Sequence, residues 1–97
     1  MKAYWVAHAT VTDPEAWARY REANAAAFAR FGGRFLVRGG AQEVVEGEAR
    51  ARCVVVEFPD LAAARACYDS PEYRAAMRHR EGAGLLDLVI VEGVDSS

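Results

Sequence analysis

Gly32-Gly33-Arg34-Phe35-Leu36-Val37-Arg38-Gly39-Gly40 is the stretch from which the rest of the chain can be placed. The first glycine pair ends whatever precedes it, because a positive φ is commonly needed where a helix stops. Arg34 to Arg38 then alternates charge with apolar bulk, the pattern of a short strand. Gly39-Gly40 interrupts that strand and reads as a bulge or kink before a continuation over Gln42 to Glu46.

Upstream of the stretch, Thr12-Asp13-Pro14-Glu15 is a helix start. Asp13 is suited to cap, Pro14 to the first helical position, and Glu15 to the positive end of the dipole. Trp17, Tyr20, Asn24, Ala27, Phe28 and Phe31 recur at near-helical period, so a helix is expected to run to about Arg30. Asn24 is the polar outlier in that stripe; it either contacts a ligand or bonds a kinked backbone. Before the helix, Ala3 to Val11 reads as a strand with apolar bulk on both faces, which suits the centre of a sheet.

Downstream, Gly47-Glu48 makes a turn and Ala51 to Phe58 returns as a second central strand. Pro59 ends it and Asp60 caps a helix over Leu61 to Asp69. Ser70-Pro71-Glu72 is a second start signal, so a break is expected near Ser70, followed by helix from Glu72 to about Arg80. Gly82 and Gly84 end that helix, Leu85 to Glu92 is the last strand, and Asp95-Ser96-Ser97 is expected to fray.

The order β-α-β-β-α-β is the ferredoxin-like α+β arrangement, an antiparallel sheet with two helices on one face. Right-handed crossovers put the first and third strands in the centre, the same two strands that carry apolar residues on both faces. The face away from the helices is too apolar for water, so a second copy of the chain is expected to cover it, sheet to sheet, as a homodimer.

With 97 residues, one domain over 1–97 is expected. Hydrophobic residues make up 53% and charged residues 27%, the profile of a globular protein. A net charge of -2 with mixed signs argues against nucleic acid or an anionic membrane as partner. No apolar run approaches the roughly 20 residues that span a bilayer. Met1-Lys2 leads straight into Ala3-Tyr4-Trp5-Val6 with no signal peptide, so the cytoplasm is the expected location. Cys53 and Cys67 lack CxxC spacing and read as buried, reduced thiols.

Tyr4-Trp5-Val6-Ala7-His8, Thr12-Asp13-Pro14-Glu15, the Gly32–Gly40 stretch, Val56-Glu57-Phe58-Pro59, Ser70-Pro71-Glu72-Tyr73 and Asp87-Leu88-Val89-Ile90-Val91-Glu92-Gly93 together resemble the domain of unknown function 1330 family. The resemblance covers nearly the whole chain. It implies the fold of the dimeric α/β-barrel superfamily, in which two ferredoxin-like protomers pack their sheets into a barrel and ligands often sit between sheet and helices. It brings no reaction, because that superfamily includes small monooxygenases, haem-degrading enzymes, isomerases and stress-responsive proteins.

Several residues suit chemistry. His8, on a central strand, is a candidate general base. Arg38, beside side-chain-free backbone, is suited to clamp a carboxylate, with an ion pair to Glu57 or Asp87 as the rival explanation. Tyr20 and Asn24 share a helix face, and Tyr68 and Tyr73 flank the Ser70 break; phenols line small-molecule sites with an apolar body and a polar tip. Arg80 is one and two turns from Ala76 and Tyr73, close enough to reach the same cleft, whereas Arg78 and His79 suit the helix C-terminus. His8, His79 and Glu57 have no metal-ligand spacing. The glycine pair leads into a strand rather than a helix and is no phosphate loop. No cofactor is expected. The functional expectation is a cytoplasmic homodimer with a cleft for an anionic, partly apolar small molecule, acting as a cofactor-independent enzyme or as a non-catalytic ligand-binding or stress-responsive dimer.

Overall fold

A computed structural model describes residues 1–94; the expected fraying of Asp95-Ser96-Ser97 lies outside the described residues. Four strands form one antiparallel sheet: β1 (Ala3–Val11), β2 (Arg34–Arg38), β3 (Arg52–Phe58) and β4 (Gly84–Glu92), in the spatial order β2-β3-β1-β4. Helices α1 (Pro14–Arg30), α2 (Leu61–Asp69) and α3 (Pro71–Met77) connect them, and a 3₁₀ turn over Arg78–Arg80 follows α3. The ferredoxin-like order read from the sequence is the one observed, with β1 and β3 central.

Local signals set the helix bounds. The Asp13 side chain accepts a hydrogen bond from the Ala16 N–H at 3.2 Å, and Pro14 opens α1. Asp60 accepts from the Ala63 N–H at 2.7 Å. Ser70 separates α2 from α3: its Oγ donates to the Cys67 carbonyl at 2.7 Å and accepts from the Tyr73 N–H at 3.1 Å. One hydroxyl thus closes one helix and opens the next, with the proline behind it preventing a continuous helix.

Each strand of the sheet alternates between two faces. Trp5, Ala7 and Ala9 of β1, Val54, Val56 and Phe58 of β3, and Leu86, Leu88 and Ile90 of β4 belong to the helix-covered face. Trp5 is the hub of this core. Its ring meets Phe28 at 5.1 Å, Tyr73 at 4.9 Å and Phe58 at 5.4 Å between centroids, and its indole N–H donates to the Ala64 carbonyl at 3.0 Å. The indole nitrogen is therefore satisfied while the ring anchors sheet, α1 and α3 together. Tyr4, Val6, His8 and Thr10 of β1 share the open face with Leu85, Asp87, Val89 and Val91 of β4.

Two expectations for the β2–β3 connection are corrected. The strand irregularity lies between Phe35 and Val37, not at Gly39-Gly40. Gln42 to Glu46 forms no strand: residues 39–51 are exposed apart from a half-buried Arg50, and Gln42 Nε2 donates to the Arg50 carbonyl at 2.9 Å. The physical cause is Gly39. Its φ of +73 turns the chain away from the sheet just after its N–H donates to the Cys53 carbonyl at 2.9 Å. The acidic-apolar alternation of Glu43-Val44-Val45-Glu46 has no neighbouring strand to pair with.

The bulge has a consequence for side-chain direction. A regular strand would put Phe35 and Arg38 on opposite faces, since they are three residues apart. The extra residue at Leu36 restores parity, so Phe35 and Arg38 both turn to the helix-covered face. There the Arg38 guanidinium lies 4.2 Å from the centroid of the Phe35 ring.

Candidate functional site

Between the sheet and α1 lies a cavity of about 50 Å³. It exists because β1 presents Ala7 and Ala9 where its neighbours present large residues, which leaves space beneath Trp17, Tyr20 and Phe28 of α1. Val54 and Val56 of β3, Phe35, and the rings of Trp5 and Tyr73 complete its apolar walls. A void of that size holds a few water molecules or one end of a small molecule.

Three arginines from three elements line the cavity together: Arg21 of α1, Arg38 of β2 and Arg52 of β3. Among the described residues none of them enters an ion pair. Burial, then the nearby charges of Arg21 and Arg38, push the Arg52 pKa below its ordinary value. This is a concentration of positive charge with no carboxylate to balance it. A Cβ at Gly39 would meet the flexible end of the Arg52 side chain, which would have to move aside. The glycine is required chiefly by the turn, whose φ is positive.

Asn24, 5% exposed, faces the same cavity, and its Oδ1 has no hydrogen-bond partner among the described residues. The alternative of a bond to kinked backbone is not what is observed; α1 runs unbroken through it. Tyr20 and Tyr73 both line it, their hydroxyls 2.6 Å apart. Burial, then Tyr20, raises the Tyr73 pKa, so the phenol is held neutral. The pair can donate a hydrogen bond to a guest, and Tyr73 supplies no base at neutral pH.

The cavity thus gathers Tyr20, Asn24, Arg38 and Tyr73 from the residues singled out in the sequence. Arg80 packs behind it. Its guanidinium carbon lies 5.2 Å from the Tyr20 ring centroid, and its Nε is buried without a partner. Tyr68 sits on the far side of Trp5 and Tyr73, at 5.9 Å and 5.6 Å, with Arg74 over its ring at 4.7 Å; it lines a separate groove with Arg65, Leu88 and Ile90.

His8 does not join this group. It points to the open face, in a recess shared with Thr10, Arg50 and Asp87. A mechanism in which His8 moves a proton in the cleft beside Arg38 does not fit this geometry, because the sheet stands between them. The rival explanation for Arg38 does not fit either. Glu57 pairs with Lys2 at 3.1 Å and Arg34 at 3.3 Å, and Asp87 pairs with Arg50 at 2.8 Å. Both carboxylates are on the open face.

Arg21 and Arg52 were not foreseen. The available signal for Arg52 was parity: it falls in step with Val54, Val56 and Phe58 on the core face of β3. For Arg21 it was helical spacing, one turn before Asn24. Among the described residues no group of three or more His, Cys, Asp or Glu side chains is placed to hold a metal ion. Among the described residues no helix is long and apolar enough to cross a membrane.

The fold recurs in solved structures of low sequence identity. A protein of unknown function from Rhodopseudomonas palustris is similar with a TM-score of 0.78 at 21% identity, over 97% of this chain and 83% of that one. SnoaB, a cofactor-independent oxygenase from Streptomyces nogalater, is similar with a TM-score of 0.68 at 17% identity, over 98% and 95% of the two chains. A protein from Bacteroides fragilis described as dimeric, of unknown function and ferredoxin-like in fold, is similar with a TM-score of 0.64 at 14% identity, over 95% and 96%. These likenesses concern the fold. No curated protein matches the chain. The family model for the domain of unknown function DUF1330 matches residues 2–94, nearly the full length, and the chain belongs to that family.

Proposed function

We propose that this protein is a homodimer, packed sheet to sheet, in which each protomer binds a small anionic and partly apolar molecule between its sheet and α1. The observation that carries the reading is the meeting of Arg21, Arg38 and Arg52, without carboxylate partners among the described residues, at a cavity with apolar walls. Arg21 and Arg38 are exposed and Arg52 is half-buried; burial and the two neighbouring charges disfavour the Arg52 cation, and a bound carboxylate would offset that through forked, charge-assisted hydrogen bonds. The hydroxyls of Tyr20 and Tyr73 would orient the guest.

Dimerisation is supported by the open face. Leu85 and Val89 are each 58% exposed, and Val37 and Val91 extend the same apolar surface. The dimeric neighbour from Bacteroides fragilis has the same fold. In this reading His8 sits under the partner's sheet rather than at the bound molecule. Two free cysteines are in keeping with a reducing, cytoplasmic setting.

A second reading is a cofactor-independent enzyme using the same cavity. It draws on the Tyr20–Tyr73 hydroxyl pair in the cavity wall, and on the likeness in fold to a cofactor-independent oxygenase.

The binding reading is tested by thermal shift against a panel of small carboxylates, with neutral amides of the same shapes as controls. A response to carboxylates that is absent for the amides, and lost in Arg38→Ala, is the expected result. Equal response to acids and amides contradicts it. Light scattering across a dilution series tests the dimer; a monomer mass at every concentration contradicts it.

A further inference from the structure

The cavity offers two kinds of recognition that differ in sign and position. The arginines supply positive charge from α1, β2 and β3. Asn24, one turn beyond Arg21 on α1, supplies a single uncompensated acceptor, its Oδ1. Leaving a buried carbonyl oxygen without a donor costs about 1–3 kcal/mol. No protein group within the described residues meets that cost, although the Tyr20–Tyr73 hydroxyl pair lies in the same walls. The remaining walls include aromatic rings and small aliphatic groups: Trp5, Phe28, Phe35, Ala7, Ala9 and Val54.

From this layout, and resting on the binding role proposed above, we infer that Asn24 determines specificity. The guest is a short carboxylate with a flat apolar body of at most one ring and a hydrogen-bond donor, hydroxyl or N–H, placed to meet Asn24 while the carboxylate meets the arginines. The carboxylate lies among Arg21, Arg38 and Arg52, the body lies against the aromatic walls, and the donor reaches Asn24 Oδ1. The cavity volume of about 50 Å³ admits one end of such a molecule and favours a small body. Rejection of a guest that lacks the donor follows from the same physics: an apolar group placed against Oδ1 leaves it desolvated and unpaired.

Hydroxybenzoates and their methyl analogues are suitable probes, because hydroxyl and methyl are close in size and differ in the donor. Calorimetric titration of the wild-type protein with para- and meta-hydroxybenzoate, para- and meta-toluate and benzoate reads the preference directly. At least one hydroxybenzoate is expected to bind about tenfold more tightly than the matching toluate. Asn24→Leu is expected to abolish that preference while toluate still binds, and Asn24→Ala does the same should leucine disturb packing. Arg52→Leu is expected to weaken hydroxybenzoate and toluate alike. Equal binding of both series by the wild type overturns the role of Asn24 and leaves the arginine site standing. A preference that survives in both Asn24 variants also overturns it. Absence of binding by every benzoate, at concentrations where the folded protein is stable, overturns the arginine site and this inference with it.

Discussion

The two faces of the sheet are built from the same strands but treat charge in opposite ways. On the open face the carboxylates are matched by cations: Glu57 by Lys2 and Arg34, and Asp87 by Arg50. On the helix-covered face Arg21, Arg38 and Arg52 have no acidic partner among the described residues, and Asn24 has an empty acceptor. Matched polar groups around exposed valines are what a surface needs to meet another copy of itself without stranding a charge. The empty acceptor of Asn24 costs stability in the free protein, and on the proposed reading a complementary guest would recover it. The difference separates a surface suited to a protein partner from a site suited to a small anion.

The sharpest break of that comparison is Trp5→Ala. It removes the ring that joins sheet, α1 and α3, and is expected to cost about 3–5 kcal/mol in urea unfolding. A loss under about 1 kcal/mol would mean that the helix-covered face is not the core. On the open face, Val89→Asp is expected to leave the fold intact by circular dichroism and to weaken self-association by about a hundredfold, because an unpaired carboxylate at a buried interface costs several kcal/mol. Unchanged association places any dimer contact elsewhere.

The cysteines sharpen the contrast further. Burial, then Glu72, pushes the Cys67 thiol on the helix-covered side up to about 12, while Cys53 is half-buried on the open face. An acid whose folded pKa is raised stabilises the fold below its unfolded value and loses that contribution as pH rises towards the folded one. Stability should therefore fall by about 1–2 kcal/mol between pH 8 and pH 10.5. That fall should be smaller in Cys67→Ala, as read by urea unfolding at both pH values; an identical fall in the variant removes Cys67 as its source. Asn24→Leu is expected to raise the stability of the unliganded protein by about 1 kcal/mol, equivalent to several degrees in Tm, by removing the empty acceptor. The smallest effect is expected from Glu57→Gln, about 1 kcal/mol or less, since its partners Lys2 and Arg34 are largely exposed. A large loss there would mean that the open-face pairs hold the monomer together.

What could be read from the chain alone divides along physical lines. β1, α1 and the break at Ser70 were legible because their signals are local: alternation in Tyr4 to Val11, a cap and proline at Asp13-Pro14, and a second cap and proline at Ser70-Pro71. The order of the strands followed from handedness and from which strands were apolar on both sides. The bulge at Leu36 was not legible, since it is a matter of register between β2 and β3, and the stronger local signal for a break is the glycine pair that begins three residues beyond. That error carried into the site. Strict alternation from Arg34 puts Arg38 on the face of Glu57, where an ion pair was a reasonable rival; the bulge turns it to the other side. Likewise His8, Arg38 and the tyrosines looked convergent by type, but β1's own alternation sends His8 away from Trp5, Ala7 and Ala9. Arg21 and Arg52 went unnoticed because a charge cluster assembled from three elements leaves no motif in any one of them.

The most direct test of the division between the faces is an NMR titration of the arginine Nε–H signals with para-hydroxybenzoate. The signals of Arg21, Arg38 and Arg52 are expected to shift in a saturable way, while those of Arg34 and Arg50, already paired on the open face, stay in place. Shifts confined to Arg34 and Arg50, or no saturable shift at any arginine, would contradict an anion site on the helix-covered face.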